Sequence, residues 1–236
     1  MKLSIVIPAY NEELRIMPVL DDYYKFFEKM MPGDYQIVVV PNNCNDRTMD
    51  LVSNFAENKN SIRIIEIKGY VGKGGAVMHG FTNCASNYIG FTDADGSTGA
   101  KEFYKLFDNI SDNDGIIGSR KLSNSIIDPE RKPIDKFFSN VFSYVVVRKI
   151  INLEYNDTQC GAKIFSNELA YMFCEKVIDN GWTFDINLLL LAKKHEKKIV
   201  EYPIKWADKG NSKLKFIDGI IATVRFLYLS LKMKQV

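Results

Sequence analysis

Six short runs of aliphatic and β-branched residues punctuate the chain, at 3–7, 36–40, 62–67, 88–92, 115–119 and 199–204, and apolar residues recur at helical spacing between the early ones. Strands alternating with helices in this order predict a largely parallel sheet flanked by helices. The first helix is expected to start near Glu12, to bury Leu14, Met17, Leu20, Tyr24, Phe27 and Met31, and to stop at Pro32-Gly33. In such a sheet ligands bind beyond the carboxyl ends of the strands, so the residues that follow each run are where chemistry belongs. Those residues are polar. Tyr10-Asn11-Glu12 follows the first run, Asn42-Asn43-Cys44-Asn45-Asp46 the second, a glycine-rich segment at 69–75 the third, Asp93-Ala94-Asp95 the fourth and Ser119-Arg120 the fifth. The polar segment 121–133, with two prolines, reads as a loose loop ahead of another helix.

With 236 residues, 46% of them hydrophobic, the chain suits one α/β domain with an ordinary core and one active site. A formal charge of +2 lacks the basic excess of a nucleic-acid binder, and no aromatic binding platform stands out. Met1-Lys2 runs directly into the first apolar run without the features of an export signal, which predicts a cytoplasmic protein. The apolar segments 137–153 and 216–233 carry Arg148, Lys149, Arg225 and Lys232, so neither reads as a membrane span. A broad apolar face with embedded cations reads instead as a helix lying on the inner face of a membrane. The same faces also suit packing on the sheet or a homodimer. Cys44, Cys84, Cys160 and Cys174 form no CxxC pair and share no ligand spacing with His79 or His195, which argues against structural zinc and suits a reducing compartment.

Asp93 and Asp95 lie one residue apart at a strand end, where alternation aims both side chains the same way. Two carboxylates suit Mg²⁺ or Mn²⁺, which completes its shell with phosphate oxygens and water and offsets charge on a departing diphosphate. Asp-Ala-Asp-Gly also suits a plain acidic turn that caps a helix. The segment Gly69-Tyr70-Val71-Gly72-Lys73-Gly74-Gly75 fails the spacing of both a P-loop and a Rossmann fingerprint. What remains is a flexible loop opening a helix, with Lys73 and backbone amides available to an anion, or a simple glycine turn. Asp157 and Asp185 are further carboxylates set among distinctive residues. Trp182 suits either a sugar-stacking position or the core.

Taken together, Val6-Ile7-Pro8-Ala9-Tyr10-Asn11-Glu12, the glycine-lysine loop, Asp93-Ala94-Asp95 and Gly118-Ser119-Arg120 resemble family 2 glycosyltransferases of the GT-A fold. Thr92 through Thr98, Asp157 through Lys163, Trp182-Thr183-Phe184-Asp185, and Trp206 through Ser212-Lys213-Leu214 are similar to the dolichyl-phosphate glucosyltransferase branch, close kin of the dolichyl-phosphate mannose synthases. This resemblance implies a single GT-A domain over 1–236, with a nucleotide-sugar-binding half to about 120 and an acceptor-binding half from about 121. It implies that Pro8, Tyr10, Asn11, Glu12 and Asn42 surround the nucleoside, that Lys73 helps hold the nucleotide, and that Asp93-Ala94-Asp95 binds metal and diphosphate. Arg120 would meet the acceptor phosphate, helped by Arg131, Lys132 or Lys136, with Trp182 and Lys213 also on the acceptor side. Asp185 stands where other members of the superfamily hold a base. Asn42 replaces the aspartate usual in relatives, and unlike aspartate it can donate a hydrogen bond, which leaves the nucleobase open between UDP, favoured, and GDP. Ala207, where mannose synthases often carry arginine, favours the glucosyl branch.

The implied reaction is inverting transfer of a hexose, glucose favoured, from UDP-glucose, with GDP-mannose second, to a dolichyl or polyprenyl phosphate at a membrane surface. Such an acceptor ionises for the second time at about pH 6, so no strong base is obligatory. The alternative is a hydroxyl acceptor on a saccharide or protein, which does need a base. A third reading, a non-catalytic nucleotide-sugar-binding module, sits poorly with the joint presence of Asp93, Asp95, Lys73 and Arg120.

Overall fold

The computed structural model describes residues 1–129, 147–148, 151–181, 183–207 and 209. The strands are β1 (Leu3–Ala9), β2 (Tyr35–Pro41), β3 (Ile62–Ile64), β4 (Tyr88–Thr92), β5 (Gly115–Ser119), β6 (Ile126–Asp128), β7 (Ala162–Ser166), β8 (Ile199–Pro203) and β9 (Lys205–Ala207). Between them lie α1 (Ile16–Met30), α2 (Thr48–Ala56), α3 (Gly72–Thr82), α4 (Ala100–Asp108), α5 (Asn167–Lys176) and α6 (Phe184–Lys194). Seven strands form one sheet in the order β3-β2-β1-β4-β7-β5-β8, and β6 pairs with β9 apart from it.

Because both faces of the sheet are covered, its inner strands are apolar on both sides. Ile5, Ile7, Ile37 and Val39 enter a core shared with α1, α2 and α4. Val6, Val38 and Val40 enter the other, with α3, α5 and α6. The mostly parallel α/β sheet is therefore as the periodicity predicts, with one exception: β7 runs antiparallel between β4 and β5. This strand comes from the second half of the chain, so both halves build one sheet. It escaped the sequence reading because Lys163 interrupts a run of only five residues.

Three expectations need correction. The first helix starts at Ile16, and Leu14 is 89% exposed. A register that buries Ile16, Leu20, Tyr23 and Phe27 puts position 14 on the opposite side, and the amides of Glu12 and Glu13 are bound to the Thr48 hydroxyl and Asp46 carboxylate rather than entering a helix. The third strand is regular only to Ile64, although Ile65 and Ile67 still donate to the Val39 and Pro41 carbonyls at 2.9 and 2.8 Å. The segment after Arg120 is not a plain loop, since β6 within it pairs parallel to β9 and the Ser125 hydroxyl donates to the Ser119 carbonyl. The apolar segment 216–233 and most of 137–153 lie outside the described residues, among which no helix is long and apolar enough to cross a membrane.

α3 approaches β1 closely enough that a Cβ at Gly80 would overlap the Val6 side chain, itself fully buried. Alanine is worth up to about 1 kcal/mol over glycine inside a helix, whereas overpacking a rigid core costs about 1–3 kcal/mol. Gly80→Ala is therefore expected to be net destabilising, by about 1–2 kcal/mol in urea denaturation. A stabilised variant would contradict this packing.

Candidate functional site

The carboxyl ends of β1, β2, β4 and β5 open on the same edge of the sheet. The first two strands leave through asparagines in the left-handed region, Asn11 at φ 52° and Asn43 at φ 51°, a conformation asparagine tolerates better than most residues. Their loops are laced together. The Asn11 side-chain oxygen accepts from the Asn45 amide, Glu13 accepts from the Arg47 amide, and Cys44 donates to the Ala9 carbonyl. Glu12, largely buried, is gripped by Arg15 at 2.6 Å. Pro8 is half-buried in β1, and Tyr10 is exposed with its ring edge-on to Tyr70, centroids 5.3 Å apart. Tyr70 was not singled out from sequence; its signal was a large aromatic inside a glycine-rich segment.

Asn42 is buried, and both ends of its amide bind the glycine-rich segment, donating to the Gly72 carbonyl and accepting from the Val71 amide. It tethers β2 to the start of α3. The glycines also have a packing reason, because the segment from Gly72 onward already belongs to α3. Gly72, at φ 76°, begins α3, and a Cβ there would overlap the Asn180 carbonyl; one at Gly74 would meet Phe184 at 2.6 Å. The segment before α6 thus seats directly on α3. Lys73, in the first turn of α3, forms an ion pair with Asp93 at 2.5 Å. Burial opposes its charge, but Asp93, Asp185 and Asp95 together outweigh that effect and raise its pKa.

The aspartates follow β4 in a turn held from several directions. Asp95 accepts from the Ser97 amide, the Tyr23 hydroxyl donates to the Thr98 carbonyl and hydrogen-bonds with the Thr92 hydroxyl, and Asp22 receives the Ala100 amide that begins α4. Ala94 is buried between the two acids, and Ala207 of β9 donates to the Ser97 carbonyl. Gly161, just before β7, lies so close to Asp93 that a Cβ would overlap its carboxylate. The donor set fits Mg²⁺ or Mn²⁺, which one or two carboxylates hold with the remaining positions left to substrate oxygens and water. Among the described residues no group of three or more His, Cys, Asp or Glu offers a fuller cage.

Two further charge pairs stand beside these acids. Arg120, at the end of β5, sends Nε and Nη2 to the two oxygens of Asp157 at 2.6 and 2.8 Å, and its amide also donates to Asp157. Its guanidinium carbon lies 5.4 Å from the centre of the Trp206 ring. Burial alone would raise the Asp157 pKa, but the charge and hydrogen bonds of Arg120 override it and hold the carboxyl well below its usual range. Asp185 opens α6 with its carboxylate buried against Lys163, and Lys163, fully buried, also donates to the Cys160 carbonyl. Burial is the larger effect at Asp185 and raises its pKa despite Lys163 and Lys73. Lys163 was missed as part of this edge; its signal was a lysine inside an otherwise apolar strand. Arg131, Lys132, Lys136, Trp182 and Lys213 lie outside the described residues.

A sheet of this topology, with acidic and basic side chains gathered beyond its carboxyl ends, is the architecture of an α/β enzyme whose ligands bind at that edge. The profile of Glycosyl transferase family 2 matches residues 4–171, and the chain belongs to that family. It is 34% identical to the dolichyl-phosphate beta-glucosyltransferase of Dictyostelium discoideum, the match covering 96% of this chain and 75% of that one. Against the dolichyl-phosphate beta-glucosyltransferase of Saccharomyces cerevisiae it is 31% identical, over 96% of this chain and 75% of the other. Among solved structures, the fold is similar to glucosyl-3-phosphoglycerate synthase from Mycobacterium tuberculosis in complex with UDP, with a TM-score of 0.67 at 15% identity, covering 96% of this chain and 79% of that one. It is also similar to the mannosyltransferase PcManGT from Pyrobaculum calidifontis in complex with GDP-Man and Mn²⁺, with a TM-score of 0.60 at 18% identity over 90% and 58% of the two chains. These likenesses define the GT-A fold. The mycobacterial synthase has also been solved with Mg²⁺ and UDP.

Two consequences can be measured. Gly161→Ala should push the Asp93 carboxylate aside while leaving the fold intact, lowering Mn²⁺ affinity measured with UDP present by about 10- to 100-fold, the range for changes that reorient a metal ligand. Unaltered Mn²⁺ binding would show that Asp93 need not stand where it does. Asp157→Asn should cost about 3 kcal/mol at pH 7, because Arg120 is left buried without its counter-charge. The folded-state pKa of Asp157 is depressed, so the pair stabilises the protein above the unfolded-state value, about 3.9, and that stability fades as pH falls below it. The gap between variant and wild type in urea melts should therefore narrow below about pH 4.

Proposed function

We propose that the chain transfers glucose, with inversion, from UDP-glucose to dolichyl or polyprenyl phosphate at the cytoplasmic surface of a membrane, using Mg²⁺ or Mn²⁺. Kinship to the dolichyl-phosphate beta-glucosyltransferases over nearly the whole chain supports the sugar and the lipid. The observation that carries the choice of acceptor is the burial of Asp185 against Lys163. A sugar or protein hydroxyl needs a base, and the carboxylate in the place of one is sealed in an ion pair. A lipid phosphate arrives already ionised and needs alignment beside positive charge, the role we propose for Arg120.

Asp93 and Asp95 would hold the cation, whose contribution is to offset charge on the departing diphosphate. Lys73 pairs with Asp93 and would take a share of the diphosphate charge. Tyr10, Asn11 and Glu12 border the first-strand end, where the nucleoside belongs by the rule for sheets of this kind. Arg131, Lys132, Lys136, Trp182 and Lys213 are proposed to complete the acceptor side. The segments 137–153 and 216–233 are proposed to meet the lipid surface.

Purified protein incubated with short-chain polyprenyl phosphate, Mn²⁺ and radiolabelled UDP-glucose, UDP-N-acetylglucosamine or GDP-mannose is expected to move label into the organic phase from UDP-glucose only. Transfer should require the metal and fall by at least about 100-fold in Asp95→Ala. Metal-dependent nucleotide binding without a lipid-linked product from any donor would overturn the phosphate acceptor.

A further inference from the structure

We propose that Glu201, on β8, is a positioning residue that sets the orientation of Arg120 through the peptide at 156–157; the catalytic meaning of this rests on the phosphate-acceptor reading above. Glu201 pairs with Ile117 across the β5–β8 ladder, two residues before the strand ends at Ser119. Its carboxylate takes three hydrogen bonds from two consecutive residues. Oε2 accepts the amide and the side-chain Nδ2 of Asn156, each at 2.8 Å, and Oε1 accepts the amide of Asp157 at 2.9 Å. The side chain of that same Asp157 accepts the amide, Nε and Nη2 of Arg120.

Two carboxylates thus act in series. Glu201 fixes where the Asp157 backbone stands, Asp157 fixes the plane of the guanidinium, and Trp206 lies against its face. A bidentate pair transmits small displacements because both its bonds depend on one relative orientation. Residues 154–157 belong to no strand or helix, so the carboxylate supplies the anchoring that a strand ladder gives elsewhere. Arg148 reinforces the same peptide, donating to the Asn156 side-chain oxygen at 2.6 Å.

The test uses the full chain labelled with ¹⁵N-arginine, the Arg120 Nε–H signal being identified by its loss in Arg120→Lys. Glu201→Gln keeps the size of the side chain but turns one accepting oxygen into a donor that faces another donor. Solvent exchange of the Arg120 Nε–H is expected to quicken about tenfold, the scale of one lost charge-assisted hydrogen bond, while other arginine signals stay in place. Asn156→Ala, which removes one of the three donors, should shift the same signal in the same direction by less and serves if Glu201→Gln does not fold. In the transfer assay the KM for polyprenyl phosphate should rise about tenfold, with kcat and the donor KM changed less than twofold, and no further rise should follow when Glu201→Gln is added to Arg120→Lys. Unchanged exchange in both variants, or donor and acceptor KM rising together, would overturn the assignment. If wild type makes no lipid-linked product, the acceptor reading falls on its own, and the exchange rates still decide whether Glu201 orients Arg120.

Discussion

A charge withdrawn from water must meet an opposite charge at close range, and that requirement organises the carboxyl edge of this sheet. Removing an ion from water costs several kcal/mol even after relaxation, so an unpaired lysine or aspartate here would weaken the edge substantially. Lys73 meets Asp93, Arg120 meets Asp157 and Lys163 meets Asp185, and each pair joins parts of the chain that are distant in sequence. The strand ends, the start of α3, the approach to β7 and the start of α6 are therefore fixed relative to one another by electrostatics as well as by the apolar layers beneath.

The pairs differ in what they leave for chemistry. Lys163 and Asp185 satisfy each other out of contact with solvent. Asp93 keeps a third of its side chain exposed, so its pair with Lys73 stays open to solvent. Arg120 lies between these extremes, held in plane by Asp157 yet belonging to a planar group with five donors, of which Nε and Nη2 are directed at that carboxylate. A site built this way needs little rearrangement to present positive charge, the preorganisation on which electrostatic catalysis depends.

Much of this was legible in the sequence, for identifiable reasons. The parallel strands are regular aliphatic runs, and the rule that ligands gather at their carboxyl ends pointed directly to residues 10–12, 93–95 and 120. What periodicity could not reveal were contacts made by single residues across the fold. Asn42 reads as a polar residue at a strand end, but its partners are backbone groups of the glycine-rich segment. Gly72 and Gly74 read as a supple turn, but they are small because Asn180 and Phe184 press against them. Lys163 hid the strand that contains it, since a buried lysine makes sense only once Asp185, 22 residues later, is seen beside it.

The antiparallel strand inside the sheet has a further consequence, for how the molecule is made. β5 is complete at Ser119, but its neighbours in the finished sheet begin at Ala162 and Ile199. During synthesis at about 5–20 residues per second, β4 and β5 must wait several seconds with unpaired edges before β7 can be threaded between them. Pairings across such distances close slowly, because loop entropy is lost before any contact forms. The nascent chain therefore carries its greatest risk of sticking to its neighbours at the strands whose ends will later carry Asp93 and Arg120, and a cell producing it has most reason to shield it in that interval.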